Sequence, residues 1–465
     1  MVFNSYAFAI FLPLVLGAYW LLRGHRRQNL LLLLASYVFY GAWDPRFLLL
    51  MWFTTLVDFA VGRRLQRESD DRTRRRVLAI SLVINLGVLA TFKYFGFFTD
   101  SFADFAGAFG LQVDPPTLQL LLPIGISFYT FHGISYTVDV YRRHIDAVDD
   151  LPTFAVFVAY FPQLVAGPIG RAQIQLPQFE HDRTPPDGDS ARSGVWLVLI
   201  GLVKKIVIAD SLAPFVNETF RLAGERSAVA LVLGAIAFSL QIYGDFSGYT
   251  DIARGVSRLF GIELLRNFDQ PYLSRNITEF WRRWHISLST WLRDYLYVPL
   301  GGNRKTATRT SFNLFATMLL GGLWHGAAWT FVAWGALHGA FLMISHKRNR
   351  PIRTGLRSIP SVVITFGLVT FAWIFFRADT MTDALDYIRG IVTLQGGVTD
   401  WSLLVLLMLT GPLLLALDLA QRMKGDDAFL ASLPAPMQGV TVGAAVLLLV
   451  VFSGGAGEPF IYFQF

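Results

Sequence analysis

Long apolar runs separated by short basic segments constrain the fold of this chain most strongly. A helix needs about 20 apolar residues to cross the hydrocarbon core of a bilayer. Runs that approach this length cover residues 2–22, 30–43, 47–61, 77–98, 118–138, 195–212, 228–243, 359–376, 401–419 and 439–452. Only 16% of the residues are charged, against roughly 25% in soluble domains. The sequence therefore predicts an all-α polytopic membrane protein with about ten crossings and excludes an ordinary soluble domain, a disordered chain and a disulfide scaffold.

The basic residues orient the predicted crossings. Lys and Arg concentrate in residues 23–27, 63–76, 142–143, 254–309 and 347–353. Because cytoplasmic loops carry an excess of positive charge, we expect all five segments to face the cytoplasm. The acidic or neutral loops 99–117 and 378–400 then face the other side, as do both termini. The net charge of +7 thus indicates membrane orientation and contact with membrane lipids rather than nucleic-acid binding.

Two apolar segments do not fit single crossings. Residues 311–345 have a basic loop on each side, so we expect a re-entrant segment that is broken at the glycines of GGLWHGA. Residues 151–166, which end near FPQLVAGPIGR, are a second re-entrant or interfacial candidate. Backbone that leaves helical geometry at membrane depth is tolerated only beside protein or a water-filled cavity. These segments therefore predict a cavity.

The long basic stretch 254–310 is predicted to be cytoplasmic and interfacial. Its large apolar side chains fall on one helical stripe, which comprises Phe280, Trp281, Trp284, Leu288 and Trp291. Arg282, Arg283 and Arg293 lie elsewhere around the turn. This pattern predicts one amphipathic helix at the membrane surface. The arginines could hold substrate phosphates or contact only anionic headgroups, and the sequence leaves the two readings about even.

His325 is the strongest candidate for chemistry. It lies inside the re-entrant segment with no charged residue nearby in the sequence, and an ionisable group at membrane depth is a functional hypothesis by default. An uncharged imidazole can act as a general base near neutral pH. The plainer alternative is a histidine that donates to a backbone carbonyl and packs against Trp324 and Trp329. With no cysteine in the chain, thiol chemistry is excluded.

Other polar residues are weaker candidates. His285 lies among the interfacial arginines, whereas His338 is interpreted as structural. Asp245 and Asp251 are expected to cap a helix end and contact Arg254 or Arg275. The apolar sequence GLVKKIVIAD contains Lys204 and Lys205, which we expect to snorkel, to pair with Asp210 or to reach the cavity. No spacing of His or carboxylate side chains suggests a metal site.

Three long motifs resemble those of the membrane-bound O-acyltransferase family. They are QIYGDFSGYTDIARG, NFDQPYLSRNITEFWRRWHISLSTWLRDYLYVPLGGNRK and GGLWHGAAWTFVAWGALHG, and the resemblance extends over essentially the whole chain, residues 1–465, as a single membrane domain. It implies a ring of helices around a thinned centre, where funnels from both faces meet at an invariant histidine. That histidine matches His325, and the family's second important polar position matches His285.

The resemblance implies acyl transfer in the bacterial inner membrane. Acetyl-CoA would be the donor, with no bound cofactor, and its phosphates would contact Arg282, Arg283 and Arg293. Arg304 and Lys305 are further candidates for the same contact. Trp324, Asp245 and Asn276 are further candidates for substrate contact. His325 would act as general base or would itself accept the acetyl group, and His285 would orient the thioester or donate to the oxyanion.

The acceptor is implied less sharply. The motifs match the branch of the family that acetylates bacterial polysaccharides such as alginate, usually with a periplasmic partner protein. Peptidoglycan and cellulose systems use similar subunits, and teichoic acid D-alanylation is more distant. A lysophospholipid acyltransferase of the same fold is a further alternative. A transporter is the alternative from another class, but it predicts paired broken helices in two related halves, and the sequence has no such internal symmetry.

Overall fold

The computed structural model describes residues 1–112, 121–164, 167–348, 355–453 and 460–461. Within those ranges the chain is helical apart from turns, loops and one isolated β-bridge between Arg226 and Val398. The prediction of an all-α protein is therefore confirmed. The chain divides into two compact units, one made of Met1–Ala191 and Val256–Leu265, the other of Arg192–Gly255 and Arg266–Phe465. The expectation of a single membrane domain stays a prediction.

The first unit contains long helices followed by short ones. In chain order they are α1 (Tyr6–Leu21), α2 (His25–Gly41), α3 (Arg46–Arg67), α4 (Asp71–Leu89), α5 (Phe95–Ala108), α6 (Ile126–Tyr141), α7 (Leu151–Ala159), α8 (Phe161–Leu164) and α9 (Ala172–Glu180). A π-helical turn joins α4 to α5. Side-chain oxygens of Ser5, Asp70 and Asp150 accept hydrogen bonds from the backbone N–H groups at the starts of α1, α4 and α7. These caps explain where the helices begin.

Three sequence predictions change in the first unit. The predicted crossing 118–138 becomes α6, which begins only at Ile126 after a left-handed Gly125, and residues 118–120 lie outside the described residues. The predicted loop 99–117 is helical through Ala108, because α5 continues α4 without interruption, and residues 113–117 are again not described. The predicted segment 151–166 is two short helices separated at Tyr160, and residues 165–166 are not described.

The second unit, with the residues that lead into it, begins with α10. Its longer helices are α10 (Gly188–Leu202), α11 (Ser211–Arg221), α12 (Ala228–Leu259), α13 (Ile277–Arg283), α14 (Ile286–Leu292), α15 (Ala307–His325), α16 (Trp329–Arg348), α17 (Ile359–Arg377), α18 (Met381–Val392), α19 (Trp401–Lys424) and α20 (Ala435–Phe452). Short 3₁₀ turns cover Ala223–Glu225, Pro271–Leu273, Gly355–Ser358 and Phe429–Ser432. Val203–Asp210 and Arg293–Tyr297 are π-helical. The basic loop predicted at 347–353 lies mostly outside the described residues.

Five helical segments in the described part of the chain are long and apolar enough to cross a membrane. They are Asp71–Ala108, Ala228–Leu259, Ile359–Arg377, Trp401–Lys424 and Ala435–Phe452. Each contains one of the predicted crossings, which confirms a multi-pass membrane protein. The total of about ten crossings stays a prediction, because the other predicted runs form helices that are shorter or less apolar.

The polar end of α12 was predicted wrongly. The sequence suggested that the helix ends near Tyr243 and that Asp245 and Asp251 cap it, but α12 continues to Leu259 with both carboxylates inside it. Lys205 contacts Asp245 at 2.8 Å, and Lys204 contacts Asp251 at 2.8 Å. The two carboxylates can lie inside the buried helix because each has a buried ammonium partner.

The two lysines do not snorkel. Their side chains are only 3% and 1% exposed, and Lys205 also contacts Asp210 at 2.7 Å, as one sequence expectation had it. Asp251 lies 3.6 Å from Arg254, so the expected contact with that arginine is confirmed. Both lysines lie on the π-helical segment Val203–Asp210, and π-bulges re-aim side chains relative to a regular α-helix.

The predicted amphipathic helix at 280–291 is two helices, α13 and α14. The chain breaks at Trp284 and His285, and His285 adopts a left-handed conformation with φ of 44°. The apolar stripe is buried in protein rather than laid on a membrane surface, because Phe280, Trp284 and Leu288 are each at most 1% exposed. The break matters because it fixes the position of His285.

The segment 311–345 forms a helical hairpin, as its glycines predicted. α15 ends at His325, and α16 starts at Trp329 after Gly326. Gly322 and Gly335 let the two helices approach closely, since a Cβ on Gly322 would lie 2.3 Å from the carbonyl oxygen of Phe331. The hairpin therefore places His325 at its tip.

Candidate functional site

His325 is the last residue of α15 and is enclosed by aromatic rings. The residue is only 4% exposed. Ring centroids of Trp324 and Trp334 both lie 5.0 Å from the imidazole, and that of Phe376 lies 5.4 Å away. An apolar enclosure of this kind keeps bulk water away from a reacting group.

His285 approaches His325 from a different element. The residue is fully buried, and its Nδ1 lies 3.2 Å from Oδ1 of Asn267. The same amide oxygen accepts hydrogen bonds from the backbone N–H of Ser287 at 3.1 Å and from its hydroxyl at 2.9 Å. The ring of Phe246 packs perpendicular to the imidazole at 4.7 Å. These contacts hold His285 in its left-handed backbone conformation.

Burial also sets the charge of His285, which lies between α13 and α14. Because desolvation disfavours the imidazolium, the pKa of His285 is lowered to about 3. The side chain is therefore neutral at physiological pH. A neutral imidazole has one N–H donor and one acceptor nitrogen, and because the amide oxygen of Asn267 can only accept, the donor is Nδ1 and the acceptor is Nε2. The sequence expectation that His285 donates to the oxyanion therefore does not fit this neutral ring.

The two histidines form one site. Their ring centroids lie 6.3 Å apart, and Trp324 packs beside both, at 6.2 Å from His285 and 5.0 Å from His325. This separation is too long for a direct hydrogen bond between the rings. The arrangement supplies one group that acyl transfer needs, a base, with a second neutral imidazole beside it.

The predicted cationic residues have different environments. Arg282 is exposed and has no ion pair in the described part of the chain. Arg283 contacts Glu279 at 2.9 Å and donates to the backbone oxygen of Asp269 at 3.2 Å. Arg293 is 60% exposed, and its hydrogen bond with Asp294 raises the pKa of the guanidinium further. Arg304 and Lys305 are exposed.

Asn276 and Asp245 have structural partners. Asn276 caps α13 by accepting a hydrogen bond from the backbone N–H of Glu279 at 2.8 Å. Asp245 contacts Lys205 and accepts from the backbone N–H of Ile461 at 2.7 Å. Their predicted contact with substrate stays a prediction. Within the described ranges, no three His, Asp or Glu side chains are grouped so as to hold a metal ion.

Sequence reasoning missed Asn267 and Trp334. Asn267 is fully buried and contacts both His285, 18 residues later in the sequence, and Ser287, 20 residues later. Trp334 packs between His325 at 5.0 Å and His338 at 4.8 Å. A polar residue in NFDQ was the only local signal for Asn267. For Trp334 the signal was its spacing of four residues from His338 on one helical face.

The family comparison assigns this chain to a known class of membrane enzymes. The family model of MBOAT, the membrane-bound O-acyltransferase family, matches residues 141–378, which include both His285 and His325. The chain belongs to this family, and the sequence prediction of an O-acyltransferase is confirmed. It is therefore a multi-pass membrane protein and an O-acyltransferase.

Several proteins of stated activity are similar to this chain. Probable alginate O-acetylase AlgI of Pseudomonas aeruginosa is 47% identical over 389 residues, which cover 82% of this chain and 73% of that protein. Peptidoglycan O-acetyltransferase of Helicobacter pylori is 34% identical over 429 residues, covering 85% and 80%. Teichoic acid D-alanyltransferase of Bacillus subtilis is 28% identical over 283 residues, covering 57% and 71%.

Proposed function

We propose that this protein transfers acetyl groups from acetyl-CoA to hydroxyl groups of an alginate-type exopolysaccharide in the bacterial inner membrane. The 47% identity to a probable alginate O-acetylase supports this acceptor. The peptidoglycan O-acetyltransferase is less similar, at 34% identity. The observation that carries the proposal is the pair of buried imidazoles, 6.3 Å apart, contributed by separate elements. The hydroxyl that receives the acetyl group could instead belong to a periplasmic partner protein, which would then pass it to the polymer.

His325 has the central role in the proposed reaction. As the acceptor hydroxyl attacks the thioester carbonyl, His325 takes the hydroxyl proton, a C–O bond forms and the C–S bond breaks. The proton then passes to the departing thiolate, so that the products are the ester and free CoA thiol. General-base catalysis of this kind contributes about 10²–10⁴-fold to rate. A covalent variant, in which His325 first accepts the acetyl group, uses the same position.

His285 and the exposed cations have supporting roles. Neutral His285 would orient the attacking hydroxyl by accepting its hydrogen bond at Nε2, and Asn267 would keep the ring in place. Arg282 and Arg293 are exposed and could meet the phosphates of CoA, with Arg304 and Lys305 further along the chain. The aromatic enclosure of His325 would limit hydrolysis of the donor by water.

Transfer of labelled acetyl tests this proposal. Membranes that contain the protein and its periplasmic partner would receive labelled acetyl-CoA with alginate, cellulose or peptidoglycan. We expect label in alginate, and a loss of about 10²–10⁴-fold in the His325→Ala variant. His181→Ala, which changes an exposed histidine, is the matched control and should keep full activity. Full activity of His325→Ala would contradict the catalytic role, and label in another polymer would contradict the acceptor.

A further inference from the structure

Two buried N–H groups on α16 have no acceptor in the part of the chain that the structure describes. Trp334 and His338 are four residues apart on this helix, and both are 0% exposed. Neither Nε1 of Trp334 nor Nε2 of His338 has a hydrogen-bond partner there. A buried polar group without a partner destabilises the folded state, so two neighbouring ones require an explanation.

The tautomer of His338 follows from its neighbour. Nε1 of Trp281 contacts Nδ1 of His338 at 3.2 Å. Because an indole nitrogen can only donate, Nδ1 must be the acceptor and carries no proton. The proton of the neutral imidazole therefore lies on Nε2, which makes that atom a hydrogen-bond donor. Trp334 supplies a second donor, and the two rings lie 4.8 Å apart.

Trp281 and Trp373, two tryptophans that pack against Trp334, have hydrogen-bonded indole N–H groups. Nε1 of Trp373 donates to the hydroxyl of Tyr272 at 3.2 Å, and Trp281 donates to His338. Trp373 stacks on Trp334 with ring centroids 5.6 Å apart and an angle of 19°. This aromatic cluster therefore satisfies the indole donors of Trp281 and Trp373 but not that of Trp334. Its ring is also in contact range of His325, at 5.0 Å.

We propose that Trp334 and His338 form a subsite that binds a carbonyl oxygen of the acyl donor beside His325. The inference rests on the proposed function. Both groups are neutral donors inside an aromatic cluster, so a neutral acceptor suits them better than a phosphate, which would need a cation nearby. An acyl-CoA offers such acceptors in its thioester carbonyl and in the amide carbonyls of its arm. Binding would supply the missing acceptors next to the proposed base.

Substitutions that remove only the N–H groups test the subsite. Trp334→Phe and His338→Phe keep an aromatic ring but lose the donor. Each is expected to lower kcat/KM for acetyl-CoA by about 10-fold or more, while KM for the polysaccharide changes less than about two-fold. His338→Gln keeps an N–H donor and should recover part of the loss. Trp373→Phe is the matched control, a buried tryptophan of the same cluster whose donor is already used.

A second acyl donor, ethyl thioacetate, identifies which carbonyl is bound. It has the thioester but no amide, so an equal loss of kcat/KM with acetyl-CoA and with ethyl thioacetate assigns the thioester carbonyl. A loss with acetyl-CoA alone assigns an amide carbonyl of the arm. Unchanged kcat/KM for both donors in Trp334→Phe and His338→Phe would overturn the inference and leave a bound water as the partner of these groups.

The result remains interpretable if one variant misfolds or if the proposed function fails. Thermal unfolding of each purified variant shows whether it is folded. Should Trp334→Phe not fold, the comparison of His338→Phe with His338→Gln decides alone, since equal loss in both would contradict a need for the donor. Absence of acetyl transfer by the wild-type protein would overturn the proposed function, whereas transfer that is insensitive to these substitutions would overturn only the subsite.

Discussion

At the scale of single residues, Asn267 determines where His285 lies. Its amide oxygen accepts from Ser287 twice and contacts Nδ1 of His285, so one atom organises the break between α13 and α14. The backbone oxygen of Asn267 also accepts from the N–H of Ile286 at 2.9 Å. We therefore treat Asn267 as a positioning residue that acts through His285.

Replacing Asn267 by Ala should reduce activity strongly. The substitution leaves two buried N–H or O–H donors without an acceptor and releases the ring of His285, and loss of such support typically lowers activity about 10–100-fold. We expect the loss in kcat, with KM for acetyl-CoA changed less than about two-fold. Steady-state kinetics measures the split. Ser287→Ala removes one donor and keeps the amide, so it should lose much less. Equal losses in the two variants would show that Asn267 supports the fold rather than His285.

At the scale of secondary structure, local glycine signals were more informative than hydropathy. Gly322 and Gly326 predicted the break between α15 and α16. At Gly322 the two helices approach each other closely, and at Gly326 the backbone is extended rather than helical. The end of α12 could not be predicted from its own sequence. Asp245 and Asp251 are acceptable inside that helix only because Lys205 and Lys204 come from another segment.

The break at His285 was missed for a related reason. A helical stripe from Phe280 to Trp291 is locally consistent with one helix, and nothing between these residues forbids it. The competing interactions come from Asn267, which lies 18 residues before His285. The sequence therefore identified His325 from its place in the re-entrant segment and His285 from its place among arginines, and the family resemblance agreed, but the contacts that bring their rings together were not predicted. Such pairings depend on tertiary structure, which a window along the chain does not contain.

Close packing of the α15–α16 hairpin should be sensitive to one methyl group. In Gly322→Ala the new Cβ would lie 2.3 Å from the backbone oxygen of Phe331 and 3.0 Å from the Cα of Gly335. The helices must separate, and we expect a loss of about 1–3 kcal/mol in stability together with reduced acetyl transfer. Gly443→Ala on α20 is the control, since nothing lies within 4 Å of that Cβ. Thermal unfolding, monitored by tryptophan fluorescence, would measure the stability of both variants. Equal stability of Gly322→Ala and Gly443→Ala would contradict the packing argument.

At the scale of the whole molecule, membrane orientation follows from where the positive charge lies. The basic stretch 254–309 is predicted to be cytoplasmic, and the loop 378–400 is predicted to face the opposite side. Both regions contain exposed residues in the second unit, among them Asn303 and Thr393. This orientation determines from which side acetyl-CoA could reach exposed arginines, so it bears directly on the proposed reaction.

Single cysteines can test this orientation without background, because the chain has no cysteine of its own. We expect Thr393→Cys to react with a membrane-impermeant maleimide in cells whose outer membrane has been made permeable. Asn303→Cys should react only after the inner membrane is opened as well, because the excess of Lys and Arg keeps its loop in the cytoplasm. Denatured samples of both variants give the full extent of labelling. Labelling of Asn303→Cys in cells with an intact inner membrane would reverse the predicted orientation and would place the basic stretch away from the cytoplasmic pool of acetyl-CoA.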